Sequence, residues 1–398
     1  MGGDGIEASR DVASTVANVP QDTAAMHIGT GHPTMLPPSD PGGDRDELVD
    51  LLRSLATTTV VLWHWVFTIL VWREDGPHAD NPIGYVSGLW SLTWVLQVMP
   101  LFFVAGGFVH ARSWSRHREQ PGAWASFVRR RAVQLGVPAL LLIAVVAGAA
   151  TASALLHEGG DPWVTRAVLL VLSPLWFLIV YMALVTTVPI WDWLDRRWGE
   201  LVPIGLAVAT MGVDLVRFRF GHPEVAWLNM VFVWGAAHQV GWSWERLRHA
   251  PARFGHALML IGFAGLVGLT NMGLYPRSMV GTTSTADRFS NMGPPTLPIV
   301  TLLIFQVGLV VANRERILRV AERPPVPRFV SWLSRNAMPL FLWHSVGFAI
   351  FYGLMRAVWT VPEEPSLLWW MTRPIWVIGP AILTIPLLAA TRRLREQG

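Results

Sequence analysis

Beyond residue 47 the chain alternates long apolar runs with short polar segments rich in arginine. Ten runs read as membrane spans: 50–72, 84–109, 132–155, 167–190, 201–216, 225–242, 255–275, 296–312, 337–359 and 374–391. About 20 consecutive apolar residues suffice to cross a bilayer as a helix. Helices also satisfy every backbone polar group internally, as lipid demands. The pattern predicts an all-α, polytopic helical membrane protein of about ten transmembrane helices over 48–398. The fifth run is the weakest, being short and holding Asp214.

Residues 1–47 break the pattern. They are rich in Gly, Pro, Asp and Ser and lack a basic stretch followed by an apolar core. They are expected to form a disordered cytoplasmic tail, not a signal peptide. Arginine asymmetry orients the rest. Segments 110–131, 243–254 and 313–335 and the C-terminal tail hold most of the arginines between spans. With ten spans they share one side with the N-terminus. The opposite loops carry Glu74, Asp75, Asp80, Glu158, Asp161, Glu363 and Glu364. Both termini are therefore expected to be cytoplasmic, in a multi-pass protein of the cell membrane. The spans show no internal repeat of the kind inverted-repeat transporters carry.

Composition agrees and prunes the chemistry. Of 398 residues, 52% are hydrophobic and 15% charged, against about 25% charged in soluble domains. The 22 Trp suit membrane interfaces. There is no Cys, so no disulfide, thiolate metal site or acyl-cysteine. There is no Lys either, which removes Schiff-base and Ser–Lys mechanisms. The histidines lack metal-ligand spacing, so no metal is assigned. The net charge of +4 arises from arginine clusters between spans, which does not suggest a nucleic-acid face.

Ionisable residues inside apolar runs are costly and point to function. In the first span Arg53 and His64 are eleven residues apart. That is about three turns, so they share a helix face roughly 16 Å apart along the axis. Imidazole is the side chain suited to taking a proton near neutral pH. Arg129, Arg130 and Arg131 stand at the start of the third span, and Arg112 precedes them. Guanidinium groups there either fix topology or hold phosphate. Gly106-Gly107 permits close backbone approach. His344 in the ninth span is either a second proton carrier or a packed core histidine. Asn229 and His238 lie on opposite faces of one helix, which favours interhelical hydrogen bonding. Asp214 reads as a structural set with Arg217 and Arg219. The long loop 276–295 either covers a site or is a flexible connector.

In this order these pieces resemble the membrane acyltransferase 3 family over nearly all of residues 48–391. The carriers are Arg53 and His64 with ten residues between them, Pro100-Leu101-Phe102-Phe103, the arginine cluster before Pro138, Leu175-Trp176-Phe177-Leu178, and Met338 to His344. Two positions depart from the family pattern: Ala105 where Ser is usual, and Gln134 where a second Arg is usual. The resemblance implies transfer of an acyl group, often acetyl, from acyl-CoA to a hydroxyl. Acceptors would be carbohydrates, lipid-linked glycans or small natural products. His64 is then the expected base, with Arg53 orienting the site and His344 as a second catalytic candidate. Arg129, Arg130, Arg131 and Arg112 would gather the donor phosphates. Two other readings fit the same scaffold: a transporter or flippase with a proton pathway, and an isoprenoid-processing enzyme. A purely structural subunit leaves the Arg53–His64 pair unexplained.

Overall fold

The structure, a computed structural model, describes residues 46–156, 162–281 and 289–397. The tail expected over 1–47 therefore lies outside the described residues up to Arg45, as do Glu158, Asp161 and the side chains of Arg392, Arg393 and Arg395.

Helix α1 (Glu47–Phe67) begins at an N-cap, Asp46, whose carboxylate accepts from the Leu48 and Val49 amides. Glu47 and Asp50 add negative charge to its first turn, where the helix dipole favours it. The helix stops at Phe67 with Thr68 in extended backbone. Strands β1 (Ile69–Arg73) and β2 (Gly76–Asp80) follow as an antiparallel hairpin. This corrects the first span, expected to run to Val71–Trp72, and adds two strands to an otherwise helical fold. Apolarity alone cannot separate a helix end from a short strand, and Ile69-Leu70-Val71-Trp72 is rich in β-forming residues. Gly76 closes the two-residue turn with φ +115°, and a Cβ there would come within 2.7 Å of the Trp163 backbone.

Two further departures come from proline. The second span is broken by short 3₁₀ turns and α2 (Thr93–Leu96) before α3 (Met99–Ser115), which starts beside Pro100. The third is α4 (Ala123–Leu156). The fourth divides at Pro174 and Pro189 into α5 (Pro162–Leu172), α6 (Trp176–Thr186) and α7 (Val188–Trp198). Proline has no N–H to donate and suits a first helical turn, although α4 carries Pro138 in its interior. Next come α8 (Leu201–Arg219), α9 (Asn229–Trp242), α10 (Trp244–Leu247), α11 (Ala252–Asn271) and α12 (Leu297–Ala312). The chain ends with α13 (Arg314–Ala321), α14 (Val326–Val358), α15 (Leu367–Met371) and α16 (Arg373–Gln397).

Each of the ten expected spans thus has a helix, but the helices are not alike. Among the described residues seven stretches are long and apolar enough to cross a membrane, or eight if the pair α12 and α13, bent by 69°, is one span. Helix α1 falls short because Asp50, Arg53, His64 and three threonines dilute it; α9 has only 14 residues. Ten is the count expected from the sequence, and this measure does not reach it.

α1 packs against both α3 and α14, and α3 lies against α9. The α3–α9 crossing depends on glycine. A Cβ on Gly107 would run into the His238 carbonyl, and one on Gly241 into that of Val104. The Gly106-Gly107 pair is thus a packing device. Gly107→Ala should cost about 1–3 kcal/mol, the usual price of overpacking, seen as a lower Tm in detergent. Across the fold Asn229 bonds to Asp214, whose carboxylate also accepts from the Tyr275 hydroxyl and the Leu297 amide. Arg217 lies over the Phe289 ring, 4.5 Å from its centroid. Asp214 is therefore anchored by neutral donors, and not by ion pairs to the Arg217 and Arg219 expected to form a set with it.

Candidate active site

α1 and α14 are 280 residues apart in sequence at the point where they meet, and they meet through two imidazoles. His64 Nδ1 is 3.0 Å from His344 Nε2, with ring centroids 5.0 Å apart. His344 is fully buried, and its Nδ1 is 2.6 Å from the Phe341 carbonyl one turn back. The Trp65 indole donates to the His344 carbonyl at 3.0 Å, tying the two helices at the same level.

These contacts fix where the hydrogens sit. A carbonyl only accepts, so His344 carries its hydrogen on Nδ1 and offers the lone pair of Nε2. His64 Nδ1 must then donate to it. In the neutral pair this leaves His64 Nε2 with the free lone pair, ready to accept a proton. His344 orients His64 by hydrogen bonding, and the backbone of α14 in turn orients His344.

His64 borders two cavities. One, of about 580 Å³, extends past Thr68 and Trp72 toward the hairpin. The other, of about 330 Å³, lies between Trp63, Gln97, Trp176, Phe177 and Phe341. Val280, Gly281 and Met292 also line this second cavity, so the described ends of loop 276–295 help enclose it. Residues 282–288 lie outside the described residues. The Asn81 amide donates to Gly281 and the Trp94 indole to Arg277, fastening the loop to the segment before α3.

A third cavity, of about 150 Å³, holds the arginine end. Arg53, Arg131 and Gln134 line it together with Gly106 and Tyr181. Arg53 is tied to Asp50 at 3.2 Å, and Arg131 donates to Gln134 at 3.2 Å. Phe177 and Phe341 line both this cavity and the second one, their centroids 5.4 Å apart. Two aromatic rings therefore form the partition between the arginines and the imidazole.

The expected residues separate accordingly. His64 joins His344, and Arg53 joins Arg131. Arg129 and Arg130 are exposed and outside the lining of the arginine cavity. Arg112 lies over the Phe108 ring, also outside that lining. Three consecutive residues on a helix point about 100° apart, so a single cavity receives one of them. Gln134, where the family pattern has Arg, serves as a neutral acceptor for Arg131. His238 does bond between helices, but to a residue not singled out from the sequence: its Nε2 is 3.0 Å from His110 Nδ1, both rings fully buried. The only signal for that pair was a histidine inside one apolar run and another just past the end of a second.

Asp75 in the hairpin turn accepts from His78 and from Arg166 of α5. These bonds, that of His78 first, hold its carboxyl down at about 2. The clip is fully formed above the ordinary carboxylate range and is lost only as pH falls through about 2. It fastens the hairpin beside the larger cavity at all pH values near neutral.

The model of one family, described as an acyltransferase domain, matches residues 46–391. No curated protein and no solved structure matches the chain.

Proposed function

The chain belongs to the acyltransferase 3 family, a membrane acyltransferase family, and from that premise we propose that it moves an acyl group, acetyl above all, from acyl-CoA to a hydroxyl. The observation that carries this reading is the hydrogen-bond chain from the Phe341 carbonyl through His344 to His64, with a cavity on either side of His64.

In this reading the acceptor hydroxyl gives its proton to His64 Nε2 as its oxygen attacks the thioester carbonyl. The C–O bond forms and the C–S bond breaks. The thiolate leaves with the proton returned from His64, and the ester remains. With no Cys or Lys in the chain, direct attack needs no covalent enzyme intermediate. Arg53 and Arg131 suit the donor because their guanidinium N–H groups can donate to the amide carbonyls of its arm. Their cavity is too small for a nucleotide, so it suits the thin thioester-bearing arm, whose acyl end reaches His64 when the Phe177–Phe341 partition opens, while the phosphates stay outside. Exposed Arg129 and Arg130 then meet those phosphates, with Arg112 one helical turn beyond Val109 of the cavity lining. The arginine end is then cytoplasmic, in the cell membrane, with both termini on that side.

Two measurements follow. Membranes carrying the protein, given labelled acetyl-CoA and an alcohol, should form labelled ester; label that stays on CoA rejects the reading. Arg131→Ala should raise KM for acyl-CoA about tenfold, the loss of roughly one charge-assisted hydrogen bond. Arg129→Ala should raise it less, since that side chain lies outside the cavity.

A further inference from the structure

The larger cavity beside His64 has a shape that its α14 wall makes measurable. That wall is Ser345, Phe348, Ala349, Tyr352, Gly353 and Arg356. Steps of three and one along a helix trace a single face, so the cavity runs lengthwise down α14. Ser345 follows His344 directly. Arg356 is eleven residues further on, about 16 Å at 1.5 Å per residue. A volume of 580 Å³ over that length leaves a cross-section on the order of 35 Å². It is an elongated slot, open at the end where Gly353 and Arg356 are exposed.

The walls are chemically uneven. Trp72, whose indole donates to the Tyr352 hydroxyl of α14, and Trp163 also line it, their rings 5.9 Å apart. Apolar side chains make up most of the remaining lining. Arg356 is the one charged residue in that lining, its guanidinium 4.0 Å over the Trp72 ring. One end thus carries an imidazole able to take a proton, the other a cation, with apolar surface between.

We propose that this slot is the acceptor site and selects an alcohol with a slim, unbranched apolar body. Its hydroxyl sits at His64 and an anionic carboxylate at the other end meets Arg356. The inference rests on the acyl-transfer reading for its chemistry, but not for its binding. A polyhydroxylated sugar would leave most of its hydroxyls against apolar walls without hydrogen-bond partners. A long-chain ω-hydroxy carboxylic acid matches both ends and the middle. Its O–H proton passes to His64, its oxygen bonds to the acyl carbon, and the thiol departs with the proton.

Gly353 makes the slot testable. A Cβ there meets nothing within 4 Å, so a larger side chain enters the slot without displacing a neighbour. The protein in lipid nanodiscs is photolysed with an ω-hydroxy acid bearing a mid-chain diazirine, with no acyl donor present. Cross-links are expected on Trp72 or on the Phe348–Tyr352 stretch. Gly353→Leu should cut them at least tenfold and Gly353→Ala by less. Arg356→Gln should weaken labelling several-fold for the hydroxy acid and not for the matching primary alcohol without a carboxylate. Labelling elsewhere, labelling unmoved by either Gly353 change, or displacement by excess free hexose overturns the proposal. So does equal, Gly353-insensitive labelling by a diazirine phospholipid. With acetyl-CoA added, the preferred chain should be shorter in Gly353→Leu than in the parent. Labelling that follows every expectation while no acetyl ester forms supports the slot and removes the acyl-transfer reading instead.

Discussion

In the His64→Ala protein, kcat for acyl transfer is expected to fall by about 10²–10⁴-fold, the range that general-base catalysis supplies. KM for acyl-CoA should change little, because the arginine cavity lies beyond the Phe177–Phe341 partition. The loss should not come from misfolding. His64 is only part-buried and faces cavities, and the Trp65 bond to the His344 carbonyl still holds α1 to α14. Steady-state kinetics with a thiol reagent, on protein shown by size-exclusion to be intact, checks this. Turnover near the parent value would remove the base assignment.

The second large effect belongs to His344, which touches His64 and not, in this account, the substrate. His344→Ala removes the acceptor for His64 Nδ1–H, so the imidazole is free to rotate or to adopt the other tautomer, which places hydrogen on Nε2 where the lone pair is needed. Disturbing the group that holds a catalytic imidazole costs on the order of 10²–10⁴-fold in kcat. A cavity-forming change in a packed core would also lower Tm, so rate alone does not separate the two roles. His344→Gln does. Its amide can donate to the Phe341 carbonyl while its oxygen accepts from His64, so a substantial part of the rate should return. KM should stay near the parent in both variants. Equal kcat losses in His344→Ala and His344→Gln would make His344 a packing residue only.

How much of this was legible in the sequence differs residue by residue. The lengths of the apolar runs carried the helical membrane fold, and the cost of an ionisable group inside such a run marked His64. Helix geometry also carried the separation of Asn229 from His238, which bond to different neighbours, Asp214 and His110. The partnership of His64 with His344 was out of reach, because it rests on α1 and α14 packing across 280 residues. The same holds for Phe177 and Phe341, ordinary apolar residues whose role comes from standing between two cavities. The hairpin was hidden for another reason: Ile69 to Trp72 continues an apolar run, and hydrophobicity is blind to the change of backbone at Thr68. The three-arginine cluster shows the reverse failure. A single helical turn was enough to say that Arg129, Arg130 and Arg131 diverge, and the structure places Arg131 alone of the three in the cavity with Arg53.

Everything functional here turns on an alcohol losing its proton to His64 as the donor gives up its acyl group. Simultaneous counting of ester formed and CoA thiol released, in proteoliposomes given labelled acetyl-CoA with and without an alcohol, tests this most directly. The account predicts one thiol per ester, dependence on the alcohol, and loss of both signals together in His64→Ala. Label crossing the membrane without thiol release, or equal thiol release by His64→Ala, would contradict it.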